Sequence, residues 1–285
     1  MNEIVDYFAQ IPSSHRALII AGGIAFFWLL ESIKPMFVFD YKKWHHAGIN
    51  IFFTLTTVVV NFILAFVLLM AADWTVTHQF GVLQWLPDMP LWLFAIVGLL
   101  LLDLVGAYLP HLVEHKTKIL WRFHLIHHTD TWIDTTSANR HHPGESVIRF
   151  AFTTIGVLVA GAPMWLVFMY QSLSVVFSQL NHANIALPPK LDKWLGYLIV
   201  SPDMHKVHHH YLMPYTDSNY GNIFSVWDRL FGTYRELPKD QIVYGVDTHM
   251  DAREHNDLGN LLKIPFQRRS KDNLESEKII DTPKN

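Results

Sequence analysis

The 285-residue chain contains no cysteine. That removes disulfides, thiolate metal sites, iron–sulfur clusters and cysteine nucleophiles. Any metal bound here must be held by histidine or carboxylate. Charge is also scarce, at 16% of residues against roughly 25% in an average soluble chain. The net charge of −3 and pI near 6.6 give no basic surplus, so nucleic acid is not expected as a partner. No glycine-rich dinucleotide fingerprint follows a strand pattern, and no cytochrome b5-like haem segment or repeat of solenoid length is present. Residues 1–16 are polar and lack the basic start and small-residue cleavage site of a secretory signal.

Apolar residues are abundant instead, at 51% of the chain with a mean hydropathy of +0.18. Three runs, residues 17–33, 48–72 and 90–109, are each long enough to span a bilayer, which takes about 20 residues. A fourth, residues 147–180, is broken at Gly161-Ala162-Pro163 and reads either as a helical hairpin that crosses and returns or as a shallow one. The expected fold is therefore an all-α integral membrane bundle of about four transmembrane helices with a helical cap. Three regions follow: N-terminal spans over 1–110, a histidine-bearing region over 111–235, which the resemblance below implies is catalytic, and an extension over 236–285. The charged, aperiodic stretch 267–285 reads as a disordered tail. Lys34, Lys42 and Lys43 mark one loop, and Lys116, Lys118, Arg122, Arg140 and Arg149 mark another two crossings later. The positive-inside rule makes both cytoplasmic, together with the segment 187–234.

Histidine is the compositional outlier. Twelve of the 18 lie between His111 and His210. Residues three and four apart share a helix face, so His111 and His115 can aim at one point, as can His124, His127 and His128. His205, His208 and His209 repeat the HxxHH spacing. Neutral imidazole is a common ligand for iron, zinc, copper and nickel. Eight rings exceed the needs of one tetrahedral ion, which takes about four, and suit two ions. His182, in QLNHANI, and His142, directly before Pro143, are further candidate ligands. His141 and His210 fall off the shared faces. His15, His45, His46, His78, His249 and His255 lack partners at ligand spacing and read as hydrogen-bonded structural residues. Asp103, inside the third span, reads either as a partner for a ligating ring or as a helix-end residue facing water. Asp130, Glu145, Asp203 and Asp228 carry the same ambiguity.

The motifs in order resemble the fatty acid hydroxylase/sterol desaturase superfamily of membrane di-iron oxygenases. They are HxxxH at His111–His115, LWRFHLIHHTD, TTSANRHHPGE, NHAN, SPDMHKVHHH and TDSNYGNIFSVWDRLFGTYR, covering nearly half the chain. The resemblance implies two Fe ions held by His111, His115, His124, His127, His128, His205, His208 and His209, with His182 and His142 matching further family histidines. Zinc could substitute in purified protein. It also implies a lipid substrate, O₂ as oxidant, and hydroxylation or desaturation of a C–H bond. The electron donor would be a separate protein of ferredoxin or cytochrome b5 type. Asn219, Tyr220, Gly221, Trp227, Asp228 and Arg229 would brace the last HxxHH helix. The chain departs from the pattern at Leu112, where many members carry arginine. Two other readings compete. A zinc-dependent membrane hydrolase needs a carboxylate base, and Glu114 has the wrong spacing for HExxH. A metal transporter or buffer usually places ligands near the bilayer midplane, whereas these lie at span ends.

Overall fold

The computed structural model describes residues 2–267. The stretch read as a disordered tail lies outside the described residues, apart from Gln267. Among the described residues every regular element is helical, and strand pairing is confined to three isolated bridges. A short helix α1 (Asn2–Ala9) precedes the first span, α2 (Ser13–Ile33). The second span, α3 (Lys43–Thr77), has 35 residues, about 52 Å at 1.5 Å per residue. That exceeds the roughly 30 Å hydrocarbon layer, so one end must project. The N-terminal turns of α3 carry its buried polar residues His46, Asn50 and Thr54, whereas its middle leaves Phe62 79% exposed and Phe66 68% exposed. Such apolar exposure suits lipid, where helices satisfy every backbone polar group internally.

After the short α4 (Val82–Trp85) comes α5 (Leu91–Asp103), a π-helical turn (Leu104–Tyr108) and α6 (Leu109–Lys116), which together make the third span. The π-turn falls just before Pro110, which has no N–H for a regular helical bond. Thr117, at φ −111° and ψ 110°, breaks the chain so that α7 (Lys118–His128) folds back against α6. The hairpin is α8 (Pro143–Ala160) and α9 (Met164–His182). Its tip, Gly161, sits at φ +67°, a conformation glycine adopts without strain. A Cβ there would lie 2.5 Å from the Phe80 carbonyl oxygen, and Gln84 Nε2 donates to the Gly161 carbonyl at 2.8 Å. Phe80 lies in the loop beyond the far end of α3 and Gln84 in α4, so the hairpin tip packs against that end of the second span. By length and apolarity four segments can cross a membrane: α2, α3 through α4, α5 through α6, and α8.

The cap is built from α10 (Pro189–Leu195), α11 (Pro202–His208) and α12 (Val226–Leu230), followed by α13 (Ala252–His255) and α14 (Leu258–Lys263). The extension packs back on the bundle through its helical turns near residues 258–266. Leu261 is fully buried against a cluster containing Phe53 and Ile126. Arg140, also fully buried, donates to the carbonyls of Ile126 and His255 and to Asn50 Oδ1. It thereby ties α3, α7 and the C-terminal segment together. Arg140 and the partly buried Arg149 are thus structural cations. The exposed lysines at the same end, Lys34, Lys42, Lys116 and Lys118, carry the topological signal.

Candidate metal centre

Nine histidines converge at the ends of α6, α7, α9 and α11. Their ligand nitrogens form two groups, each within 4.8 Å. One group is His111, His115, His124, His128 and His208; the other is His127, His182, His205 and His209. Both HxxHH motifs are shared between them. On α7 the i,i+4 pair His124 and His128 faces one group, while His127 turns to the other. On the second motif His208 joins the first group, and His205 and His209 the second. The groups adjoin, with the His128 and His209 rings 4.8 Å apart and the His208 and His209 rings 5.2 Å apart.

The tautomers follow from the hydrogen bonds. An N–H facing a carbonyl or carboxylate oxygen must donate, which leaves the other ring nitrogen as a lone pair. The Nδ1–H groups donate to Tyr220 O from His111 (2.8 Å), to Asp217 Oδ1 from His115 (3.1 Å), to Glu145 Oε1 from His124 (2.8 Å) and to Ser218 O from His208 (2.7 Å). His182 Nδ1 donates to Ser178 O at 2.7 Å. Nε2 of His111, His115 and His208 is buried with no protein partner. In the second group, Nε2 of His182 is met by Nε2 of His205, His127 and His209 at 3.0, 3.1 and 3.2 Å. A single lone pair cannot be satisfied by three converging imidazole nitrogens, but a cation between them can. Both groups therefore fit a metal ion.

Burial, followed by the neighbouring imidazoles, holds His124, His127, His128, His205 and His209 well below the ordinary histidine pKa. Burial lowers His208 to about 4. These rings are neutral at pH 7, which is the ligating form. The groups differ in rigidity. Four of the five rings in the first have an anchored Nδ1. In the second only His182 does, and Nδ1 of His127, His205 and His209 is buried without a protein partner.

His142, predicted as a tenth ligand, lies outside both groups. It is the N-cap of α8, its Nδ1 accepts the Gly144 amide at 3.0 Å, and its ring packs on Phe123 and Phe266. Pro143 at the first helical position is what makes a cap useful there. Its neighbour His141, set aside on the sequence, approaches His127 at 4.9 Å between ring centroids. Asp103 neither contacts a ligand nor faces water. It is fully buried and accepts the Ile223 and Phe224 amides and Trp227 Nε1 at 3.0–3.2 Å. Of the four other carboxylates, Glu145 holds a ligand ring. Asp130 pairs with His46 at 2.9 Å, Asp203 pairs with Lys239 at 2.7 Å, and Asp228 accepts the Tyr220 and Gly221 amides at 2.7 and 2.8 Å. Asn219, at φ +53°, donates to Met204 O at 2.8 Å and so braces α11. Sequence reasoning missed Asp217, Ser218 and Arg149. The Arg149 guanidinium bridges Glu145 (2.8 Å) and Glu114 (2.7 Å).

Residues 95–233 match the family model described as fatty acid hydroxylase. The chain is similar to an ornithine lipid hydroxylase, OlsE, of Rhizobium tropici, at 23% identity over 68% of this chain and 56% of that protein. It is 28% identical to an alkylglycerol monooxygenase of Caenorhabditis elegans, over 50% of this chain and 27% of that protein. It is 27% identical to a cholesterol 25-hydroxylase-like protein of Danio rerio, over 43% of this chain and 48% of that protein. The chain thus spans about half or less of the length of these relatives. No solved structure gives a significant match. The matched region, just under half of the chain, holds all nine clustered histidines and is similar to the fatty acid hydroxylase family.

Proposed function

We propose that this protein is a membrane-bound di-iron oxygenase that hydroxylates a C–H bond of a polar or sterol lipid. The observation that carries the reading is the pair of adjoining, buried, all-histidine groups at one end of a transmembrane bundle. Zinc has no redox chemistry, and an unactivated C–H bond yields to no side chain, whereas iron supplies activation of O₂. The overall balance is lipid C–H plus O₂, two electrons and two protons giving lipid C–OH and water. The electrons come from a separate donor protein of ferredoxin or cytochrome b5 type. The ions would be held by His111, His115, His124, His128 and His208, and by His127, His182, His205 and His209. The chain's own task is placement: Glu145, Asp217 and the Tyr220 and Ser218 carbonyls fix ring tautomers so that Nε2 faces the ions. The four-histidine group, with fewer ligands, is the one left with room for an exchangeable position. The exposed lysines at this end support a cytoplasmic orientation.

The hydrolase reading loses its base, because Glu114 is fully buried and paired with Arg149. Arg149 takes its Oε2, and the remaining oxygen, Oε1, is buried away from solvent. The test is purification from iron-supplied cells, metal analysis, and O₂ consumption with membrane lipid and a reductant. Two irons per chain and a lipid product heavier by one oxygen are expected. Retention of a single zinc with ester hydrolysis would overturn the proposal.

A further inference from the structure

The segment 187–234 was expected to be wholly cytoplasmic, yet part of it is pinned at membrane depth. Ile223 and Phe224 donate their amides to Asp103 in the third span. Asp103 lies thirteen residues before Lys116, about 20 Å along a helix. Ile223 joins the transmembrane core with Leu102, Phe150 and Tyr170. Phe231, seven residues after Phe224, stacks on Tyr108 of the same span at 5.3 Å. Whatever follows Phe224 therefore starts inside the bilayer.

Two short elements next to this anchor turn apolar side chains outward. On α10, Leu191 and Trp194 lie at i and i+3, and Leu198 continues the row into the next turn; Trp194 is 72% exposed and Leu198 73%. On α12 and just beyond it, Leu230 is 67% exposed and Phe231 50%. The two elements are bound into one surface. Ser225 N donates to Leu198 O at 3.3 Å, Arg229 donates to Gly196 O at 2.8 Å, and the Arg229 guanidinium stacks over Tyr197 at 5.1 Å. Lys190 and Lys193 flank the apolar row and are exposed. They are placed to reach lipid phosphates while the row itself stays in the acyl region.

We propose that α10 and α12 form an interfacial anchor immersed in the bilayer, its occupant the lipid surrounding the third span. Contiguous exposed apolar patches mark interaction sites, and continuity with the spans through Asp103 and Tyr108 identifies lipid as the occupant. The anchor leads directly into α11, which begins at Pro202 and carries His205 and His208. It therefore holds one wall of the metal centre at the membrane surface, where a lipid substrate resides. The assignment does not depend on which metal is bound or on catalysis.

The absence of native cysteine permits a direct test on the full chain. Leu198→Cys and Leu230→Cys are labelled with an environment-sensitive fluorophore in nanodiscs holding one copy. Phe62→Cys serves as a control within a span and Lys118→Cys as a control in water. Each variant is first checked for full metal content and monodispersity. The expected result is blue-shifted emission at 198 and 230, approaching that at 62. Nitroxide lipids labelled near the headgroup should quench it more than those labelled at the chain end. Emission like that at 118, or a blue shift only after a second copy or another protein is added, would overturn the anchor. The metal reading would stand in either case.

Discussion

Substituting Glu145 by Gln tests whether the two histidine groups hold separate ions. The carboxylate accepts His124 Nδ1–H at 2.8 Å and is fully buried. Gln keeps an acceptor of nearly the same shape but removes the charge that makes His124 a stronger donor to metal. Loss of such an outer partner typically lowers metal affinity 10–100-fold, about 1.4–2.8 kcal/mol at 1.4 kcal/mol per decade. Arg149 keeps its 2.7 Å partner Glu114, so the substitution does not strand a cation. Of the two histidine groups, His124 belongs to the five-histidine one and not to the other. Chelator titration followed by metal analysis should therefore release one ion from Glu145→Gln at a 10–100-fold lower chelator activity. The second ion should leave where it does in the parent protein. Release of both ions in one step, or an unchanged first step, would refute the division into two separately supported sites.

Three further outcomes are expected. His182→Ala should lose one ion, because His182 is the ring on which the four-histidine group converges, whereas His142→Ala should retain both and lose only a helix cap worth about 1 kcal/mol; metal content and Tm distinguish the two. Acidification should destabilise the apo-protein. His208 has a folded pKa of about 4, below the unfolded imidazole value near 6.5, so between these limits the unfolded chain binds the proton and the folded one does not. Tm should fall as pH drops from 6.5 toward 4, and a flat or rising Tm would contradict the burial of neutral rings. Asp103→Asn weakens three hydrogen bonds to a buried carboxylate and should cost on the order of 3 kcal/mol. It should lower thermal stability in detergent and leave chelator release of both ions unshifted.

The candidate ligands were legible because a helix converts spacing into direction. HxxxH and HxxHH announce which rings share a face, and the apolar runs announce the spans beside them. What spacing does not reveal is the partner across the gap. Sorting one HxxHH motif between two ions depends on how α7 and α11 cross. The Tyr220 and Ser218 groups that fix His111 and His208 are backbone carbonyls, which have no side-chain signature at all. His142 was ambiguous for a related reason: a histidine before proline at a helix start is equally a ligand and a cap, and here it lies outside both groups and accepts the Gly144 amide. Asp103 was read against the histidines nearest in sequence, whereas its donors come from residues 223–227, about 120 positions away. Arg140 and Arg149 counted as loop charges until their burial was visible.

An all-histidine centre raises an electrostatic difficulty that the carboxylates around it offset in part. Nine neutral rings add no negative charge, so two divalent ions would leave about four positive charges in a dry site, a large cost in a low dielectric. The compensation stands one layer out. Glu145 and Asp217 touch ligand rings directly. On the other side lie Asp130 and Asp134. Burial alone would raise both carboxyls, but His46, with Arg140 and Ser137 on Asp130 and Thr136 on Asp134, holds them below the usual range. They remain anionic. Lys206, between ligands His205 and His208, is fully buried and donates to the carbonyl of His182. Burial lowers it to about 7, against the attraction of Glu31, Asp134 and Asp130. Glu31, at the end of the first span, also accepts the Thr135 and Asn184 amides at 2.7 and 2.8 Å. Several of the carboxylates near the cap, Asp130, Asp134, Glu114, Glu145 and Glu31, are buried around the histidines. Their placement ties the first span to the histidine-bearing helices, and since Arg149, Arg140, Lys116 and Lys206 stand beside the same carboxylates, they offset only part of the charge of two ions.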